Sequence, residues 1–145
     1  MVINTLLDTD GSQCLLTYEE TGPWLRATWR GFVDPDEAMR GAENYLAHAG
    51  PFHCPCLLND NLALRGPWFD SVEWLERAWL PRARDLGLRY VAHVVQEDRH
   101  ADILTLTYPR HLIGALEVQL FERVADAERW LRSCQPGAAP QQLSA

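Results

Sequence analysis

Residues 56–95, CLLNDNLALRGPWFDSVEWLERAWLPRARDLGLRYVAHVV, decide the fold. They open on an apolar run (Cys56, Leu57, Leu58), pass through three polar residues (Asn59, Asp60, Asn61) and close on a second apolar run from Tyr90 to Val95. Between these runs Trp68, Val72, Leu75, Trp79, Ala83 and Leu86 recur at the i, i+4, i+7, i+11 spacing that lines one face of a helix. Strand, long helix, strand is the repeating unit of a parallel α/β sheet. Gly87 stands where a left-handed helix end belongs, with Arg82 and Arg84 in the last turns, where positive charge suits the helix dipole. Pro81 cannot donate a backbone hydrogen bond, so the pattern predicts a bend near Leu80 or a restart with Pro81 in a first turn.

Upstream, Cys14 to Tyr18 is β-prone, and Trp24, Arg26, Thr28 and Arg30 alternate with Leu25, Ala27 and Trp29. Thr21, Gly22 and Pro23 separate the two runs, and so short a connection makes them an antiparallel hairpin. Asp34, Pro35 and Glu37 mark a helix start: a capping side chain, a proline in the first turn and an acid near the positive end. That helix should run to Ala49, burying Ala38, Ala42, Tyr45, Leu46 and Ala49.

Downstream, Asp98 begins a short helix over residues 99–107 that Pro109 ends, Leu116 to Phe121 alternates as a last strand, and Val124, Ala127, Leu131 and Cys134 share one face of a closing helix. The order is ββαβαβαβα, an α/β fold with a mixed five-stranded sheet and four helices in a single domain over residues 1–134. Residues 135–145, rich in Gly, Pro, Gln and Ala, have nothing to bury and are expected to be a disordered tail.

A chain of 145 residues is long enough for one core without disulfides. Its net charge is −7 and its basic residues are scattered, which argues against nucleic acid as a partner. All thirteen basic residues are arginine, so a phosphate-loop lysine, a Schiff-base lysine and a lysine base are excluded. No window approaches eighteen apolar residues and the N-terminus lacks a signal-peptide pattern, which predicts a cytoplasmic chain with no membrane span and with reduced cysteines. His48, His53, Cys54 and Cys56 fall within nine residues but lack the spacing of a tetrahedral zinc site, so neither metal nor cofactor is expected.

The element order resembles the STAS fold of anti-sigma-factor antagonists. The runs 57–61 (LLNDN), 66–68 (GPW), 79–81 (WLP), 87–94 (GLRYVAHV) and 127–131 (AERWL) look like an uncharacterised bacterial group of STAS-like proteins. The resemblance implies a regulatory module that binds a protein partner and whose serine, in an Asp-Ser-Ser-Gly element, is phosphorylated to break that binding. Asp70 and Ser71 match the element; Val72 and Glu73 replace its second serine and its glycine.

Ligands of open α/β sheets sit beyond the carboxyl ends of the parallel strands, which here means Asn59, Asp60 and Asn61, read as a polar corner, with Arg65 and Trp68 opposite and Ser71 at the helix start. The same three residues also suit ordinary turn chemistry. Trp74 lies off the helical stripe, either as a flank of the core or as an anchor for a partner or a homodimer face. His93, in the middle of a buried run, is either a neutral structural histidine or a base oriented by Asp60. Two functions follow: a non-catalytic regulatory or interaction module binding a protein partner or small ligand at the corner, or a small hydrolase-like enzyme using His93 and Asp60.

Overall fold

The computed structural model describes residues 1–7, 11–65, 75–96, 111–113 and 116–135. Strand β1 (Val2–Leu7) pairs antiparallel with β2 (Gln13–Glu19), which makes the expected hairpin with β3 (Trp24–Phe32). Helix α1 (Pro35–His48) and a 3₁₀ turn (Gly50–Phe52) lead to β4 (Cys56–Arg65). A π-helical turn (Leu75–Trp79) runs into α2 (Leu80–Asp85) and then β5 (Tyr90–Val94), followed by β6 (His111–Ile113), β7 (Leu116–Phe121) and α3 (Val124–Ser133).

The strands form one sheet in the order β1-β2-β3-β4-β5-β7-β6. Strands β3, β4, β5 and β7 are parallel to one another, and the outer pairings are antiparallel. The mixed α/β architecture is as the sequence indicates, with two edge strands, β1 and β6, beyond the five expected. A strand paired on one side only buries little: Ile3 and Leu6 pack on the core, while Val2 and Leu7 are exposed, so β1 leaves no alternating pattern to read. The helix expected after Asp98, the first half of the tryptophan helix with Trp68, Ser71 and Trp74, and the tail from 136 onward lie outside the described residues. Gln135, read as part of that tail, is docked: its Nε2 donates to the Pro23 carbonyl at 2.9 Å.

Local chemistry sets each helix. Asp34 accepts the Glu37 N–H at 2.8 Å while the Glu37 carboxylate accepts the Asp34 N–H at 3.3 Å, a complete capping box. The buried face of α1 includes Gly41, where an added Cβ would lie 2.1 Å from the Trp29 ring; glycine lets the helix seat directly on that indole. Pro81 falls in the first turn of α2, and beside this residue without a backbone N–H the winding changes from π to α between Trp79 and Leu80. At the other end Gly87 has φ +107°, Gly87 N–H bonds the Arg84 carbonyl and Leu88 N–H bonds the Ala83 carbonyl, a Schellman motif.

The sheet is covered on both faces. On one, Trp29 packs under α1, and the Trp79 indole donates to the Ala42 carbonyl at 2.7 Å and packs on Tyr45. On the other, α3 buries Ala127 and Leu131 and sets Trp130 against Tyr90 and Phe121. Strand alternation therefore turns Asn59 and His93 toward α1, and Asp60, Tyr90 and Val94 toward the face that carries α3.

Candidate functional site

Strand β4 does not turn at Asn59. Its pairing with β3 continues to Phe32 opposite Arg65, but the register slips: Thr28 faces Asp60 while Arg30 faces Ala63, so β4 carries one extra residue around Asn61 and Leu62. Asp60 Oδ1 accepts the Leu62 N–H at 3.1 Å within this bulge. The expected corner is thus a β-bulge in a buried strand, and Asp60 and Asn61, expected at the surface, are 8% and 3% exposed. The physical cause is shared: Asn and Asp side chains stand in for backbone partners wherever a ladder is interrupted, at a bulge as at a turn.

On the α1 face, Trp29 Nε1 donates to Asn59 Oδ1 at 2.8 Å, and Asn59 Nδ2 lies 3.0 Å from His93 Nδ1. An indole can only donate, so it fixes the Asn59 oxygen toward itself and the amide nitrogen toward the imidazole. His93 Nδ1 is therefore the acceptor and its proton sits on Nε2. His93 keeps a minor share of its surface open, yet burial pushes its pKa from 6.5 down to about 4, and the amide donor at Nδ1 acts in the same direction. Because the folded value lies below the unfolded one, the unfolded chain takes up the proton first. The contribution of neutral His93 is complete above pH 6.5 and is lost as the pH falls from 6.5 towards 4. Thermal unfolding followed at pH 7, 6 and 5 should show a decline that is measurably shallower in His93→Gln.

On the opposite face, Arg26 Nη2 donates to Asp60 Oδ2 at 2.8 Å and Arg26 Nη1 to Glu19 Oε1 at 3.5 Å. The Arg26 and Asp60 side chains are 23% and 11% exposed, so this pair is largely desolvated. Asp60 is opposite Val94 in the ladder and Asn59 is opposite His93. Asp60 and His93 thus point to opposite sides of the sheet, and Asp60 cannot orient His93 as a base. The residue that holds His93 is Asn59.

Among the described residues no group of three His, Cys, Asp or Glu side chains is arranged to hold a metal. Cys54, Cys56 and Cys134 are free thiols; burial, with Cys54 and Cys134 nearby, pushes Cys56 up to about 12, and burial raises Cys54 and Cys134 as well. Such thiols stay protonated at neutral pH and are poor nucleophiles. A cleft of ≈190 Å³ opens between β1, β2 and α1, lined by Leu6, Ser12, Trp29, Val33, Glu37 and Arg40 among others. It is below the roughly 300 Å³ at which small-molecule sites usually begin.

The C-terminal end of β3 and β4 differs from the sheet interior. Arg30 and Arg65 are exposed and neither makes an ion pair among the described residues, while Phe32 and Leu62 leave 56% and 38% of their surface open. Phe32 is the register partner of Arg65. Of the residues singled out in the sequence, the structure joins Asn59 to His93, gives Asp60 to Arg26, buries Asn61 and places Arg65 on this exposed rim. Trp29, Arg26 and Glu19 were not recognised as partners. Their alternation was visible, but which residues of β4 they meet depends on a register that no single strand encodes.

No protein-family model matches the chain and no curated protein does so either. Among solved structures it is similar to an uncharacterized protein of the DUF3478 family with a SpoIIAA-like fold from Shewanella loihica PV-4. The two are 17% identical, the match covers 83% of this chain and 94% of that one, and the TM-score is 0.49. Among the described residues no helix is long and apolar enough to cross a membrane.

Proposed function

We propose that this chain is a non-catalytic regulatory or interaction module that binds a protein partner on the rim formed by Arg30, Phe32, Ala63 and Arg65. The observation that carries this reading is a division of labour. Polar groups inside the sheet bond one another, Asn59 with Trp29 and His93, Asp60 with Arg26 and the Leu62 N–H, whereas the rim presents two arginines that make no ion pair among the described residues, beside the exposed Phe32 ring. Aromatic and arginine side chains are the residues that most often anchor protein interfaces. A hydrolase-like reading needs a base with an orienting carboxylate, and the carboxylate proposed for His93 faces the other side of the sheet. The described cleft is smaller than small-molecule sites usually are and lends a small-ligand reading no support.

In this reading Arg65 belongs to the recognition surface, with Trp68, Ser71 and Trp74 following it in the chain. Asn59, Asp60, Asn61 and His93 keep β4 and β5 in the register that presents it. The test is site-specific photo-cross-linking, with the reactive side chain at the exposed position 63 and, as control, at the exposed position 47 on α1. Position 63 should cross-link one protein that position 47 does not, and Phe32→Ala should reduce that product at unchanged melting temperature. Identical products from both positions would remove the rim from consideration, and a product consisting of a second copy of this chain would make it a homodimer face.

A further inference from the structure

We infer that the rim recognises a short acidic segment, two carboxylates flanking an apolar side chain; this rests on the interaction reading above. Arg30 and Phe32 are two residues apart on β3, about 7 Å, and Arg65 lies beside Phe32 on the neighbouring strand, about 5 Å away. An apolar residue seated on Phe32 therefore has an arginine on either side within reach of its neighbours in an extended peptide. Each guanidinium offers a planar fork that a carboxylate fits through two parallel hydrogen bonds. Arg26, the next basic group along β3, is neutralised by Asp60 and Glu19, so among the described residues the unpaired positive charge of β3 lies at the rim.

The net charge of the chain, −7, selects among anionic partners. A nucleic acid presents about one charge per 1.7 Å and is held by an extended row of phosphate contacts, which two arginines on an acidic protein do not provide. A segment with two or three carboxylates needs only close contacts, which act within a Debye length of about 8 Å and do not depend on the overall field. The apolar contact supplies the salt-resistant part of the binding.

The experiment uses the full chain and three fluorescein-labelled probes, read by anisotropy: a peptide with two Glu-Leu-Glu triplets, its Lys-Leu-Lys counterpart and a twelve-nucleotide oligothymidine. The Glu peptide should bind, and its affinity should fall at least tenfold between 50 and 500 mM NaCl. Arg30→Gln with Arg65→Gln, and separately Phe32→Ala, should each weaken it at least tenfold with unchanged melting temperatures, while the other two probes bind at least tenfold more weakly than the Glu peptide. Failure of the Glu peptide to bind, or equal or tighter binding of the Lys peptide or of oligothymidine, overturns the acidic-segment inference. Either result leaves the rim reading standing wherever position 63 still gives its specific cross-link, so the two failures are distinguishable.

Discussion

Replacing Asp60 with alanine is expected to destabilise the protein by about 3 kcal/mol, within the 3–5 kcal/mol typical of breaking a buried pair. Two losses coincide with one existing defect. Arg26, 23% exposed, keeps its charge with only the longer 3.5 Å contact to Glu19, the Leu62 N–H loses its acceptor in the bulge, and Arg26 Nε is already buried without a partner. The partial exposure of Arg26 holds the figure at the lower end of the range. Asp60→Asn, which keeps an oxygen for Leu62, should lose less, and Arg26→Met combined with Asp60→Leu should recover part of the loss, because removing both charges avoids stranding either. Urea denaturation of the four proteins checks this. A loss below about 1 kcal/mol for Asp60→Ala would place the pair in the regime of exposed ion pairs.

Trp79→Ala should have an effect of similar size, of order 3–5 kcal/mol. The indole is 6% exposed, packs on Tyr45 with ring centroids 5.3 Å apart and satisfies the Ala42 carbonyl, so its removal opens a cavity between α1 and the segment entering α2. Three residues on, Arg82 makes a bridge to Glu43 between side chains 56% and 45% exposed, and Arg82→Ala should change stability by less than about 1 kcal/mol. Comparable losses from the two substitutions would mean that the segment is wound in a different phase from the one described.

What the sequence disclosed follows from how locally each feature is encoded. Asp34 and Glu37 announced the start of α1 because a capping box is closed by residues three apart, and Gly87 marked the end of α2 because the left-handed conformation there suits glycine alone. The β2–β3 hairpin was legible from two alternating runs and a short turn. The candidate site was legible in its residue types but not in its geometry. Asn59-Asp60-Asn61 has the composition of a corner, and only the pairing of β4 with β3, set by residues thirty positions away, makes it a bulge inside a strand that runs on to Arg65. The same register decides which side each residue faces: a shift of one residue would bring Asp60 rather than Asn59 opposite His93 and convert a structural pair into a candidate dyad. Arg30 reads as a hairpin residue, and Phe32 beyond it carries no signal of its own, because nothing in their neighbourhood shows that the far end of the sheet leaves them open.

The separation of Asp60 from His93 by the sheet is what turns the reading from an enzyme to an interaction module, and it is open to one direct measurement. Nitrogen-15 NMR of the His93 side chain, titrated in the wild-type chain and in Asp60→Asn, reports the tautomer, the pKa and any coupling to Asp60. The expected result is a neutral ring protonated on Nε2, titrating well below 6.5 towards the value of about 4 set by its burial, with the same midpoint in both proteins. A ring protonated on Nδ1 at neutral pH, or a midpoint that moves by a full unit when Asp60 loses its charge, would place the two groups on the same face and contradict the account.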